Sequence, residues 1–257
     1  MSKNLVKQQF GAHAAAYATS RVHAQGASLA RLVELLQPQA TWQALDIATA
    51  AGHTALAIAP HVAHVTATDI TPEMIPLATE LAAKRGVANI TLETADAEAL
   101  PFADATFDLV TCRIAPHHFP HVDRFVAEAY RVLRPGGWFA VVDNVVPTGA
   151  AGDYVNAFEK LRDPSHGRCL SVAEWLDGFA AAGFAVTQHE TADKTMTFND
   201  WAVRMGATPE TIAELRRRLA EAPADAAAFL RPTPQDDDWL FTLEEAIIIG
   251  HKAQTTD

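Results

Sequence analysis

The chain has 257 residues, enough for one well-buried α/β core with added elements. Its 20 basic and 31 acidic side chains leave a net charge of −11, which argues against nucleic acid as a partner, because phosphate contacts need a basic surface. Two cysteines without a CxxC pair, Cys112 and Cys169, exclude a disulfide framework or a cysteine-rich zinc site and fit a reducing cytoplasm. No signal-peptide core or run of roughly 18 apolar residues is present, so no membrane span is expected.

The first 40 residues predict two helices, the second over 28–36, with Leu29, Leu32, Val33, Leu35 and Leu36 at helical spacing before Pro38. A strand over 43–47 follows, then a turn through small residues into a helix beginning at Gly52. A second strand spans 62–68. The next helix, over 72–85, has Thr71 as a suitable N-cap, Pro72 at its first position and Gly86 after its end. Strands over 90–93 and 107–112, a helix over 123–133, an Arg-Pro-Gly-Gly turn at 134–137 and a strand over 138–143 complete the alternation. Such alternation predicts an α/β fold: a doubly wound, mostly parallel sheet with helices on both faces.

Beyond Asp143 the rhythm changes. A helix over 151–161 is interrupted at 162–168, a helix over 172–182 ends at Gly183, and a strand spans 184–189. Residues 199–231 read as helical, broken by prolines at 209, 223 and 232, and a last strand over 240–251 contains Ile247, Ile248 and Ile249. The two late strands predict a hairpin at a sheet edge with the helical insertion as a lid. The expected organisation is an N-terminal helical cap over 1–40 and a main domain over 41–257, with cap insertions near 150–170 and 199–235.

The chemistry concentrates at predicted strand ends. In an open parallel sheet, ligands bind beyond the carboxyl ends of the strands, and Asp46, Asp69 and Asp96 fall at such ends or in the loops after them. Asp69 lies 17 residues after Gly52, near the spacing of an acid that holds a ribose diol. The loop between Asp46 and the helix carries Ala48 and Ala50 where nucleotide-binding loops carry glycine. That departure speaks against a pyrophosphate and hence against a nicotinamide-dependent oxidoreductase. If either alanine must adopt a positive φ, the cost is about 1–2 kcal/mol, roughly a five- to thirtyfold loss when charged to binding. Helix capping is the alternative role for any one of these acids.

The segments LDIATAAGH, TATDITPEMIPLA, TADAEALPFADATFDLVTC, HHF and EAYRVLRPGGWFAVVD occur in that order. Together they resemble the class I S-adenosylmethionine-dependent methyltransferases, in the small-molecule branch that includes the ubiquinone/menaquinone C-methyltransferases. The resemblance covers residues 40–145 well and 170–186 less closely. It implies a Rossmann-like methyltransferase fold with a seven-stranded sheet, and S-adenosyl-L-methionine as cofactor with S-adenosyl-L-homocysteine as product. It further implies that Asp46 faces the ammonium of the methionine moiety while Ala48, Ala50 and Gly52 line the loop beneath it. Asp69 would accept the ribose hydroxyls, Asp96 the adenine amino group, and Ala97 would offer its amide to a ring nitrogen. Ile70 and Leu100 would sandwich the base, and Arg113 would border the methionine end. The pattern Phe10-Gly11…Ala14…Tyr17 resembles the helix that closes over this cofactor.

Methyl transfer from a sulfonium is a direct displacement, so the protein mainly positions the acceptor and excludes water, and a base is needed only where the acceptor loses a proton. His117 and His118 are the candidate bases, with pocket lining or plain structure as alternatives. His117 and His121 share metal-ligand spacing, but Pro120 interrupts a helix there and no metal is expected. Asp143, Tyr17, His166 and Trp201 are the candidate acceptor contacts. Arg162, Asp163 and His166 alternatively form an ion-pair knot that orders the cap. The expected partner is a small-molecule acceptor, with the oligomeric state open and a homodimer among the options. The leading expectation is methyl transfer; a cofactor-binding protein of the same fold that transfers no methyl group is the alternative.

Overall fold

In the computed structural model, which describes residues 2–18 and 26–254 but not the side chains of 12–18, the strands form a single sheet. The strands are β1 (Gln43–Ile47), β2 (His64–Asp69), β3 (Ile90–Thr94), β4 (Phe107–Arg113), β5 (Leu133–Val145), β6 (Phe184–Thr197), β7 (Thr233–Gln235) and β8 (Asp238–Lys252). Their order is β3-β2-β1-β4-β5-β8-β6, with β7 paired to β8. The first five run parallel and β8 is antiparallel to both of its neighbours. The expected seven strands are present, joined by an eighth, the three-residue β7. Strand order reverses between β1 and β4, so the switch point where such sheets bind ligands lies beyond the ends of those two strands.

Alternation along the strands builds two cores. Leu45, Ile47, Val110, Cys112, Phe139, Val141 and Ile248 face α5 (Val122–Val132) and α7 (Val172–Ala182). Ala44, Leu109, Ala140, Val142, Ile247 and Ile249 face the opposite side, against α2 (Ala27–Leu36) and α3 (His53–Ile58). Adjacent residues thus serve different layers, as a period of two requires. α7 begins at a Ser171–Glu174 capping box and ends at Gly183, matching its expected bounds.

A third cluster lies beyond the sheet. The far halves of β6 and β8 pair with each other past the sheet edge and carry α6 (Ala150–Arg162), α8 (Phe198–Val203), α9 (Pro209–Ala220) and α10 (Ala224–Leu230). Phe158 stacks on Trp201 at 4.9 Å, and Phe241 meets Trp201 edge-on at 5.0 Å. β8 follows its expected span within two residues, whereas β6 continues from the expected end at 189 to Thr197, because its outer part pairs with β8 and packs on this cap.

Two local expectations are corrected. α4 (Met74–Lys84) starts two residues later than Pro72, without a side-chain cap, because Asp69 Oδ1 takes the Thr71 amide at 2.8 Å and folds 71–73 into a turn. The Arg-Pro-Gly-Gly segment is a bulge inside β5: Phe107 faces Leu133, the next paired residues are Leu109 and Trp138, and Gly136 has φ +83°. At the N-terminus, α1 (Lys3–Ala18) packs against α4, across the strand ends.

Candidate active site

The loop after β1 defines the site. Asp46 is buried, and its two oxygens accept the hydroxyls of Thr49 (2.6 Å) and Thr111 (2.7 Å). Burial raises its pKa to about 6, against the opposing pull of those hydroxyls and the Arg113 charge. The chain then passes through Ala48 (φ 55°), Ala50 (φ 48°) and Gly52 (φ 86°), so both alanines occupy the left-handed region that glycine favours. Three hydrogen bonds hold this strained path: Thr49 N to Thr68 O (2.8 Å), Ala50 N to Asp69 Oδ2 (2.9 Å) and Gly52 N to Thr49 O (2.8 Å). Asp69 thus clamps the loop with one oxygen and Thr71 with the other. Burial raises its pKa, and the amides of Thr71 and Ala50 work against that shift.

An outer cleft opens over this loop, with Asp46, Ala48, Ala50, Asp69, Ile70 and Arg113 in its wall. A smaller cleft adjoins it, lined by Asp96, Ala97, Ile70 and Phe119. The two share Val6, Ala48, Ile70, His118 and Phe119. α1 roofs both through Val6, and Lys3 pairs with Asp96 and Glu98 at 2.7 Å each. Burial would raise the Asp96 pKa, but the Lys3 contact and the Glu98 amide bring it below the usual carboxylate value.

Next to the outer cleft lies a second space, the inner cavity. Phe10, Ile114 and His118 line both spaces and mark their junction. Ile114 has φ 53°, a strained conformation for a β-branched residue, set where β4 must turn sharply between the two cavities. His117 lines the inner cavity, with its Nδ1 2.6 Å from Asp143 Oδ1 and its backbone amide 2.9 Å from Asp143 Oδ2. The carboxylate fixes the proton on Nδ1 and leaves Nε2 as the acceptor. Burial alone would lower the His117 pKa; the charge and hydrogen bond of Asp143 lift it above the ordinary value instead. His118 Nδ1 donates to the Ser165 carbonyl at 2.8 Å, and burial, then the neighbouring His117, drives its pKa well down. One histidine is tuned to take a proton and the other is held neutral.

The expected residues do not all converge. Asp46, Ala48, Ala50, Asp69, Ile70 and Arg113 line the outer cleft and Asp96 and Ala97 the smaller one, while Gly52 caps α3 below. Leu100 is in the core and lines neither cleft, and Phe119 rather than Leu100 joins Ile70 in the wall of the smaller cleft. Asp143 is spent on His117 rather than open to the cavity. His166 is buried against α6, 3.0 Å from Asn156 Oδ1, and lines none of the three cavities. Arg162 pairs with Glu159, not Asp163, which instead accepts from the Ser165 amide and hydroxyl. Trp201 lines the inner cavity, with Phe158 and the Arg162 guanidinium packed against its ring. The Tyr17 side chain lies outside the described residues. Sequence reading missed Lys3, Val6, Glu159 and Lys194; only the i, i+4 spacing of Val6 and Phe10 on α1 carried a signal.

Among the described residues no group of three or more His, Cys, Asp or Glu is arranged to hold a metal ion, and no helix is long and apolar enough to cross a membrane. Residues 45–141 match the methyltransferase-domain family model. The uncharacterised methyltransferase YcgJ of Bacillus subtilis (strain 168) is 37% identical over 201 residues, 78% of this chain and 79% of that protein. Its crystal structure superposes with a TM-score of 0.85 at 34% identity, covering 89% of this chain and 99% of that one. A candidate methyltransferase from Bacillus halodurans C-125 gives a TM-score of 0.86 at 35% identity over 89% of this chain and 100% of its own. The ubiquinone/menaquinone biosynthesis C-methyltransferase UbiE of Brucella anthropi is 42% identical over 106 residues, 40% of each chain. With the strand order, the acid-bearing strand ends and these likenesses in agreement, the chain belongs to the methyltransferase-domain family, on the Rossmann-like fold of the class I S-adenosylmethionine-dependent methyltransferases.

Proposed function

We propose that this protein moves a methyl group from S-adenosylmethionine to a small, partly apolar organic acceptor by direct displacement. The observation that carries this reading is the junction of two spaces beyond β1 and β4: a carboxylate-lined outer cleft meets an inner cavity that holds the His117–Asp143 pair.

The residues of the outer cleft suit the cofactor. Asp46, with its pKa at about 6, lacks a full counter-charge, which an ammonium group supplies. Asp69 has spent two of its roughly four acceptor sites on amides and a third on the Thr71 hydroxyl, leaving one for a ribose hydroxyl. Asp96 and Ala97 offer a carboxylate and a backbone amide to an adenine edge, between the apolar walls Ile70, Phe119 and Val6. Arg113, against Thr54 at 3.1 Å, borders the opposite end. Bound there, the cofactor supplies a methyl group already activated on a sulfonium.

The chain's own work is positioning, dehydration and proton removal. α1 closes over the cleft through Lys3, Val6 and Phe10 and keeps water from the junction. In the inner cavity His117 Nε2 accepts the acceptor's proton while Asp143 holds the ring and stabilises the charged imidazole. His118, with its depressed pKa, serves as wall rather than base. Trp201, Phe10 and Ile114 provide apolar surface.

Titration calorimetry with S-adenosylmethionine, S-adenosylhomocysteine and NAD tests the cofactor. The first two are expected to bind and NAD is not, and Asp69→Ala is expected to weaken binding by about ten- to hundredfold, since a bond to the carboxylate contributes about 1.5–3 kcal/mol. NAD binding in place of the other two would overturn the reading. An acceptor screen with methyl-labelled donor tests transfer; firm cofactor binding with no transfer across a broad panel would favour a protein of this fold that transfers no methyl group.

A further inference from the structure

The inner cavity contains a feature that proton removal by His117 does not use. Glu159, on α6, is 3% exposed and lines this cavity; Arg162 Nη2 reaches its Oε2 at 3.3 Å, while its Oε1 is buried without a hydrogen-bond partner. Arg162 lines the same cavity, lies 4.7 Å from the Trp201 ring centre, and has a buried Nε that also lacks a partner. An unpaired acceptor and an unpaired donor thus belong to two side chains that are ion-paired to each other and line the same cavity. Leaving such buried groups unmatched is costly, so the arrangement is poised for a ligand that matches both.

The chemistry of that ligand follows by elimination. An ionised carboxylate would satisfy Arg162 but has no proton to donate to the unpaired Glu159 Oε1 and meets its charge directly. An ammonium would satisfy Glu159 but meet Arg162, with Arg204 and Lys194 also lining the cavity. A hydroxyl group can donate to Glu159 Oε1 and accept from Arg162 Nε at once, and it brings no charge. Lys194 is held only at 3.4 Å, by Asn144 and by Glu245, longer than the roughly 2.7–2.9 Å of a tight charged bond, so it can follow a polar ligand atom. On the same cavity, His117 Nε2 has no hydrogen-bond partner among the described residues.

We propose that Glu159 and Arg162 form a hydroxyl-anchoring subsite that selects an uncharged acceptor bearing at least two hydroxyl groups, one held by this pair and another presented to His117. This rests on the reading of the inner cavity as the acceptor site. At His117 the O–H bond of the second hydroxyl breaks, its electron pair stays on oxygen, and the proton forms the new Nε2–H bond while Nδ1–H remains on Asp143. Glu159 and Arg162 are binding residues for the first hydroxyl and take no part in that proton transfer.

The test uses the full-length protein saturated with S-adenosylhomocysteine and two coloured probes, 4-nitrocatechol and 2-methoxy-4-nitrophenol, which differ by a methyl on the anchoring oxygen. Absorbance titration is expected to show 4-nitrocatechol binding roughly ten- to hundredfold tighter, because the methoxy oxygen cannot donate to Glu159. Bound 4-nitrocatechol is expected to show the ionised spectrum at a pH where the free probe is neutral, and His117→Gln is expected to abolish that change while binding persists. In Glu159→Gln, retention of the Arg162 contact by the amide oxygen turns the amide N–H₂ into the cavity, so the preference is expected to vanish or reverse in favour of the methoxy probe. Unfolding temperature and S-adenosylhomocysteine affinity near the wild-type values certify that variant as folded. Equal affinity of the two probes for the wild type, no binding of either, or an unchanged preference in the folded variant would overturn the subsite. Absence of S-adenosylhomocysteine binding to the wild type would instead count against the methyl-transfer reading, and the probe comparison, repeated without it, would still test Glu159 and Arg162.

Discussion

Ala48 and Ala50 hold the loop beneath the outer cleft in a backbone region that costs an L-residue about 1–2 kcal/mol. The sequence raised that cost as a threat to cofactor affinity. The structure reassigns it: the loop already follows this path, clamped by Asp69 and Thr68, so the strain is present before any ligand arrives and falls on folding. Replacing both alanines by glycine is therefore expected to raise stability. The gain is about 1 kcal/mol per site at most once the roughly 0.5–1 kcal/mol entropic cost of glycine is subtracted, or a few degrees in Tm for a chain of this size. The dissociation constant of S-adenosylhomocysteine should stay within about threefold; an unchanged Tm with a tenfold tighter constant would show that the loop takes the strained path only on binding. Asp143 changes meaning in the same way, from a candidate acceptor contact to the group that orients His117 and lifts its pKa. If His117 is the base, the rate must fall as pH drops through that raised pKa, and Asp143→Asn, which removes the charge, should move the midpoint down in a kcat/KM profile while lowering the plateau.

At the level of elements, the 3₁₀ turn Pro116–His118 and the segment after α6 bring three histidine rings together, with ring centres of His117 at 4.2 Å from His118 and 5.4 Å from His166. Burial, followed by the charge of His117, lowers the pKa of His166 to about 2 and that of His118 well below its ordinary value. Both groups have folded-state values below their unfolded value near 6.5, so the unfolded chain binds the extra protons and stability falls as pH drops below that point. His117 is shifted the other way: its contribution is fully present below about 6.5 and is lost as pH rises through its raised value, so it does not soften the acid slope. The loss below pH 6.5 should approach about 1.4 kcal/mol per pH unit for each of the two histidines, set against the titration of other groups. Urea unfolding between pH 7 and 5 checks this, and His166→Gln should remove about one proton from the slope. An unaltered slope would mean that His166 is not held neutral by its surroundings. The boundaries of α7 and of the strands through β4 were legible because caps, turn residues and apolar period are local. The length of β6 was not, since its outer half is stabilised by β8 and by the cap, which lie elsewhere in the chain.

Across the whole molecule, the sheet supplies a rigid floor at the β1/β4 switch point, α1 a roof, and the outer β6–β8 hairpin with its helices a back wall. The three parts meet at Phe10, Ile114 and His118. A ligand that binds only the folded form at about a hundred times its dissociation constant adds about 2.7 kcal/mol. With roughly 2–4 °C per kcal/mol for a domain of this size, S-adenosylhomocysteine should raise Tm by about 5–10 °C. NAD at the same concentration should leave it unchanged, and equal shifts with both would contradict the cofactor assignment. Lys3 is expected to contribute modestly: it and Asp96 are each about one-third exposed, although the Glu98 carboxylate is nearly buried, so Lys3→Met should cost on the order of 1 kcal/mol of stability.

The α/β class, the parallel order through the central strands and the succession Asp46, Asp69, Asp96 were determined by the sequence alone. Each depends on neighbours within a few residues: apolar alternation, turn punctuation, and an acid at the end of an apolar run. The tertiary structure alone decided the conformation of Ala48 and Ala50, the union of His117 with Asp143, the withdrawal of His166 from the cavity, and the unmatched Glu159–Arg162 pair within it. The reason is physical: backbone strain, desolvation and the pairing of charges are set by groups that come from different strands and helices, and a linear pattern carries no measure of their distance.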